Sequence, residues 1–266
     1  MKKIEVKIDH PKTGKVLYEF EFDQYDSIEE MDASTYVNWC ALINQGYEEA
    51  ELRLRAFLLF SRVDLVKFAI KCPTVDPLEL LAQLRSLIDS LLKQQIITKD
   101  LFTKCKIKLF NKLVGPGDYM SNLTYRQFGI SDHYFMLYHN NGNEEDLNQF
   151  CGAIFTYGKV FDSIVADEIA EHFCKVPLVF KRAVLQNYWG LRNWQKLNFP
   201  GAFIGEEKNS KTKSKSKELV LTDWDAIAIN IAEAGVFGYK KIVDESPIND
   251  VLKFIHDKKV QSKKSK

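Results

Sequence analysis

The hydrophobic period of the chain shifts near residue 32 from two residues to about 3.6. In residues 2–9, Ile4, Val6 and Ile8 share one face while Lys3, Glu5 and Lys7 share the other. The alternation resumes at 15–22, where Val16, Tyr18, Phe20 and Phe22 point one way. Between these runs lies Asp9-His10-Pro11-Lys12-Thr13-Gly14, dense in turn formers. The pattern predicts a β-hairpin with a longer loop. A lone hairpin is marginal in water, so this one must pack on helices or pair with another strand.

Beyond the hairpin the period is helical. Asp32 is the expected N-cap of a helix carrying Tyr36, Trp39, Cys40 and Ile43 at i, i+3, i+4 and i+7. A second helix is expected over 48–60, and a third behind Asp76-Pro77, with Leu80, Leu81, Leu84, Leu87, Ile88 and Leu91 as its stripe. Ile107, Leu109 and Leu113 read as a short strand before the turn Gly115-Pro116-Gly117. Thr124 and Gln127 form a capping-box pattern, Thr accepting from the third helical N–H and Gln reaching back. The helix it opens is expected to reach about Tyr138, and Asn143 opens the next, with Leu147, Phe150, Cys151 and Ile154 on one face. Further helices are expected at 162–174 and 177–198, the second stopped by Phe199-Pro200-Gly201.

Residues 206–218, EEKNSKTKSKSKE, hold no apolar side chain and read as a flexible linker. After it, Thr222 is the expected cap of a helix with Trp224, Ile227, Ala228 and Ile231 on one face. Ser246-Pro247 opens the last helix, striped by Ile248, Val251, Leu252 and Ile255. The expected architecture is mainly α: an N-terminal β-hairpin (1–24) packed on a multi-helix core (25–205), then the linker and a tethered C-terminal helical module (219–266). A helix pair of that size rarely stabilises itself, so its stripes must dock on the core, pair with another copy, or hold a partner helix in a groove.

Charge and cysteine usage narrow the function classes. Lys+Arg is 37 and Asp+Glu is 36 in 266 residues, a net charge of +1, whereas a surface built for nucleic acid is strongly basic. Nucleic acid is therefore not an expected partner, although a local patch such as the 208–217 lysine run is open to it. The five cysteines, Cys40, Cys72, Cys105, Cys151 and Cys174, are odd in number and include no C-x2-4-C pair. That argues against a zinc ribbon and a secreted disulfide framework, and implies a reducing compartment. Cys40 and Cys151 fall on apolar helix faces and read as small core residues. The N-terminus, MKKIEVKIDH, lacks the apolar run of a secretory signal, and no apolar stretch is long enough for a membrane span.

The catalytic motifs are missing. There is no G-x-x-x-x-G-K-[ST], no G-x-G-x-x-G after a strand and no G-x-S-x-G. Gly115-Pro116-Gly117-Asp118 reads as a plain turn. Glu168, Glu171 and His172 share a predicted helix, but the residue three before His172 is Ile169, not the glutamate of a di-iron motif, so they read as surface contacts. His133 and His139 lie six positions apart, about 240° around a helix, and do not share a face. No metal, cofactor or catalytic residue is expected, and the chain reads as a protein other than an enzyme. The stretch 188–196 mixes aromatics with basic residues. Core packing is one reading of it; an interaction face through Tyr188, Trp189, Arg192 and Trp194 is the other.

Two long stretches carry a resemblance. LTYRQFGISDHYFMLYHNNGNEEDLNQFCGAIF with VPLVFKRAVLQNYWGLRNWQKLNFPGAF is similar to proteins encoded among the virion and tail genes of tailed phages and prophages of Bacteroidetes. An acidic-Leu-Thr cap of that group is replaced here by Glu30-Met31-Asp32. TDWDAIAINIAEAGVFGYKKIVDESPINDVLKFI resembles the short helical module of phage tail-assembly proteins, with Trp224, the Ala/Ile helix, Gly235-Val236-Phe237-Gly238 and a closing amphipathic helix. The resemblance implies a virion-associated or tail-assembly role, such as a chaperone holding a tape-measure protein before the tail polymerises. It implies other tail or virion proteins as partners, in the host cytoplasm during assembly and in the virion. It also implies that the stripe of Trp224, Ile227, Ile231, Phe237, Val251, Leu252 and Ile255 engages the partner. The alternatives are a homo-oligomer, a packaging accessory using the Lys-rich loop, and an enzyme with an unrecognised site.

Overall fold

The computed structural model describes residues 1–10, 12–73, 85, 88–102, 113–158, 161–203 and 221–264. The linker expected at 206–218, the strand expected around Ile107 and Leu109, and the helix start at Asp76-Pro77 lie outside the described residues.

Strands β1 (Lys2–Asp9) and β2 (Val16–Gln24) pair antiparallel, with Ile4 opposite Phe22 and Val6 opposite Phe20. That register puts the apolar sets of both strands on one face, as the alternation requires. The face is covered by α2 (Glu49–Ser61) and α3 (Leu65–Lys71). Phe22 stacks on Phe57 at 6.1 Å, Phe20 meets the same ring edge-on at 5.9 Å, and Tyr18 meets Phe68 at 5.5 Å. Helix α1 (Ala33–Ile43) starts at Asp32, whose carboxylate accepts from the Thr35 N–H at 3.0 Å. It buries Tyr36, Trp39 and Cys40, and Trp39 stacks on Phe60 at 5.6 Å. Burial pushes the Cys40 thiol up to about 12, so it stays protonated as a core residue.

The second set of helices runs α4 (Tyr125–Asn141), α5 (Glu144–Ile154), α6 (Ser163–Phe173) and α7 (Leu178–Asn198), then a 3-10 turn (Pro200–Phe203). The C-terminal residues form α8 (Trp224–Glu233), α9 (Lys240–Glu245) and α10 (Ile248–Lys264). Side chains supply the starts: Thr124 accepts from Gln127 N, Asn143 from Glu145 N, Asp162 from Ile164 N. The capping box at Thr124 is half made. Gln127 does not reach back; its amide donates to the Ala153 and Ile154 carbonyls at 3.0 and 3.3 Å, closing the end of α5. The cap of α8 is Asp223, which accepts from Ala226 N, rather than Thr222. A carboxylate one residue on gives the same reach with a charge suited to a helix N-terminus.

Helices α5 and α6 cross closely at Gly152. A Cβ there would fall on the Ala166 carbonyl oxygen and within 2.8 Å of the Ala170 Cβ. The obstacle is backbone, which cannot rotate away. Gly152→Ala is therefore expected to destabilise the fold by about 1–3 kcal/mol, despite the better helix propensity of alanine, as read by urea unfolding.

The chain divides into two compact units, Met1–Gln95 and Ile96–Lys266. The hairpin shares a unit with α1–α3, and residues 221–264 share one with α4–α7. The boundary differs from those expected at 24/25 and 205/206. The C-terminal helices dock on their unit through backbone pairing at both ends of Thr124–Pro247: Tyr125 N donates to Ser246 O at 2.9 Å and Ile248 N to Leu123 O at 3.0 Å. Gly201 N donates to His256 Nδ1 at 3.0 Å, pinning α10 to the 3-10 turn. The chain is mainly α-helical with a packed N-terminal hairpin. Among the described residues no helix is long and apolar enough to cross a membrane.

Candidate functional site

The apolar stripe of α4 carries a carboxylate. Phe128, Ser131, Asp132 and Phe135 recur at i, i+3, i+4 and i+7, and all four are buried. Helix α7 offers a cation on its own buried stripe, Tyr188, Leu191, Arg192 and Gln195. Arg192 Nε donates to Asp132 Oδ1 at 2.5 Å and Nη2 to Oδ2 at 3.2 Å, with both residues almost fully buried. The Tyr188 hydroxyl donates to Oδ1 at 3.1 Å and the Trp224 indole N–H to Oδ2 at 2.9 Å. One carboxylate thus gathers donors from α7 and α8. Its charge is neutralised by a fork-shaped guanidinium, the arrangement that makes a buried pair tolerable. The sequence signal for this cluster was present: opposite charges on two apolar helix faces.

A solvent-open cleft lies on the other side of α4. It has a volume of about 710 Å³ and is bounded by α4, α5, α6, the start of α8 and Asp244 of α9. Its apolar floor includes Ile130, Ala153, Ala166 and Trp224. Its polar lining includes Arg126 and His133 from α4, Gln149 from α5, Asp167 from α6, and Asp223 and Asp225 from α8. Arg126, Phe161 and Asp244 also line a second cavity of about 350 Å³, which continues toward Lys240 and Lys241. Lys240 donates to Asp244 at 2.7 Å and pairs with Asp225 at 2.7 Å. Partial burial pulls its ammonium down, but the two carboxylates outweigh that and hold it above the ordinary lysine value.

The residues expected to bind a partner are placed differently from the expectation. Trp224, Ile231, Val251, Leu252 and Ile255 are 4%, 5%, 0%, 0% and 7% exposed, so the stripe is spent on the chain's own core. Ile227 and Phe237 are half-buried, and Phe237 meets Phe254 edge-on at 5.4 Å. An amphipathic face buries against whatever apolar surface its own chain offers, and Trp224 also finds an acceptor there for its indole N–H. The face expected from Tyr188, Trp189, Arg192 and Trp194 is not one face. Tyr188 and Arg192 are inside. Trp189 stacks on His139 at 5.8 Å, and Trp194 meets Tyr119 at 4.9 Å. Positions 189 and 194 lie about 140° apart around α7, which separates them.

The exposed apolar side chains of the C-terminal region are others. Val236, Tyr239 and Ile242 are 62%, 85% and 50% exposed, and Ile229 on α8 is 43% exposed. Gly235 and Gly238, at φ of 75° and 83°, shape the turn that carries them. Sequence reasoning missed this set because helix α9 is short and shows too little of its period to reveal an outward face. No protein-family model, no curated protein and no solved structure matches the chain.

Proposed function

We propose that the chain is a non-enzymatic tail-assembly or virion-associated protein of a tailed phage, working by protein–protein contact in the host cytoplasm. In this reading it holds a tape-measure protein before the tail polymerises. The resemblance of residues 123–155, 176–203 and 222–255 supports the setting. The observation that carries the contact role is the exposed turn of Val236, Tyr239 and Ile242 on a module whose other apolar face is buried. Tyr239 is 85% exposed at the N-cap of α9, yet its side chain makes no capping bond there. A tyrosine in that position does nothing for the helix start. Tyrosine is, in contrast, among the residues that most often dominate binding energy.

The test is affinity capture of the tagged full chain from bacteria producing the parent phage or prophage, with partners identified by mass spectrometry. The wild-type chain is expected to recover tail proteins, tape-measure protein among them. The variant Val236→Ser/Tyr239→Ser is expected to recover about tenfold less or lower, with stability changed by only about 0.5 kcal/mol because both sites are exposed. Equal recovery by the variant, or recovery of nucleic acid alone, overturns the reading. Deleting residues 219–266 is no substitute, because those residues supply part of the unit's core.

A further inference from the structure

We propose that the cleft bounded by α4, α5, α6, the start of α8 and Asp244 of α9 seats a basic, amphipathic polypeptide segment of a partner, its apolar side chains on the floor and its lysines or arginines at Asp167 and Asp223. The proposal rests on the reading that the chain works through protein contacts, and it names the chemistry of what is held. Half-buried Ile130 and exposed Leu221 give apolar side chains a surface to cover, with Ala153, Ala166 and Trp224 buried behind them. The cleft runs on into the second cavity past the shared residues Arg126, Phe161 and Asp244. That makes a trough suited to a length of chain rather than to a single side chain.

Charge sets the sign of the occupant. Four aspartates line the larger cavity: Asp167, Asp223, Asp225 and Asp244. Lys240 answers Asp225 and Asp244. The Asp167 side chain makes no hydrogen bond or ion pair among the described residues, and the Asp223 side chain only accepts from Ala226 N at 2.9 Å. Among the described residues these two carboxylates thus face the trough with no cation paired to them. The tyrosines of the lining register this field. Burial raises the Tyr134 hydroxyl first, and Asp167, Asp146 and Glu145 raise it further; burial raises Tyr125, and Asp244, Asp225 and Asp223 add to it. Arg126 is shared with the second cavity, which neither Asp167 nor Asp223 lines, so the segment's basic residues belong at the Asp167 and Asp223 end. Gln149 and Ser163 also line the cleft, and their side chains make no hydrogen bond among the described residues. Their amide and hydroxyl can serve the backbone groups that a bound polypeptide must have satisfied.

The test pans a displayed library of random twelve-residue peptides on the full-length chain at moderate salt. Enriched peptides are then measured by fluorescence anisotropy against three forms of the protein. Asp167→Asn/Asp223→Asn removes both charges and keeps the shape, since asparagine caps a helix as well as aspartate does. Ser163→Trp fills the mouth from an exposed position. The expected result is enrichment of peptides combining Leu or Phe with Lys or Arg. Their affinity falls about tenfold or more in the double asparagine variant and is lost in Ser163→Trp, while thermal melts of all three proteins coincide. Enrichment of acidic or uncharged peptides, affinity unchanged in the asparagine variant, or no peptide blocked by Ser163→Trp overturns the proposal. The outcome is separable from that of the tail-protein capture. Failure of the library with capture intact removes the cleft proposal alone. Cleft-bound basic peptides with no tail protein captured leave a peptide-binding protein of another setting.

Discussion

Replacing Asp132 with alanine is expected to cost the Ile96–Lys266 unit about 3–5 kcal/mol of stability, measured by urea unfolding under far-UV circular dichroism. The size follows from what is left behind rather than from what is removed. Arg192 is fully buried, and its guanidinium cannot lose its proton to escape an apolar surrounding. Without Asp132 it is a buried cation whose carboxylate partner is gone. The Trp224 indole N–H and the Tyr188 hydroxyl lose the same acceptor. Asp132→Asn separates the two effects. The amide oxygen still serves one donor but not the charge, so its cost should lie below that of alanine. Pairing Asp132→Leu with Arg192→Met removes both charges and should recover most of the loss, as buried ion pairs exchanged for apolar residues commonly do. It should not recover all of it, because Trp224 and Tyr188 would still lack their acceptor. A cost under about 1 kcal/mol for the alanine variant would mean that water reaches Arg192 and that the cluster does not bind α4, α7 and α8 together.

The parts of this fold that were legible in the sequence are those governed by local chemistry. The switch of period near Asp32 separated strand from helix, and alternation in 2–9 and 15–22 placed Phe20 and Phe22 on the covered face. Caps at Asp32, Thr124 and Asn143 start helices where the side-chain oxygens predict. What failed needed tertiary knowledge. Gln127 fits the capping-box spacing, but two carbonyls at the end of α5 lie within its reach and take its amide instead. Helix α9, six residues long, is too short to show a period, so nothing in the sequence singled out Tyr239 and Ile242.

The candidate site was legible only in pieces. Asp132 and Arg192 each sit on an apolar stripe, and a charge on such a stripe is the mark of a buried pair. Their partnership spans sixty positions, and nothing in either helix alone says that they meet. The stripe of the C-terminal helices was read correctly as apolar and needing cover. Periodicity tells which face is buried and is silent on what buries it. The cleft is still further from sequence. Its walls come from five helices, and its aspartates look, one at a time, like ordinary surface and cap residues.

The second large effect is expected at Trp224. Trp224→Ala should destabilise the same unit by about 3–5 kcal/mol, the range for deleting a buried aromatic side chain. Its ring meets Phe128 at 5.1 Å, Phe203 at 5.7 Å and Tyr125 at 6.1 Å, so its removal opens a cavity walled by aromatics from α4 and the 3-10 turn. Those walls are held by helix backbones and cannot collapse far. The Cβ of Trp224 already lies 3.0 Å from where a side chain on Gly129 would begin, a sign of how closely α8 rides on α4. Trp224→Phe keeps much of the ring and loses the indole N–H, so it should cost less, and the difference between the variants measures packing apart from the bond to Asp132. This experiment decides between two uses of one stripe. If the stripe is held for a partner, Trp224→Ala leaves unfolding unchanged and weakens capture of tail proteins. If the stripe is core, the unfolding midpoint falls, and amide exchange accelerates along α8 and α10 before the rest of the unit. The observed burial of Trp224, Val251 and Leu252 requires the second result. An unchanged midpoint would mean that α8 leaves its dock in solution, and the partner-binding surface would then be this stripe rather than the turn at Tyr239.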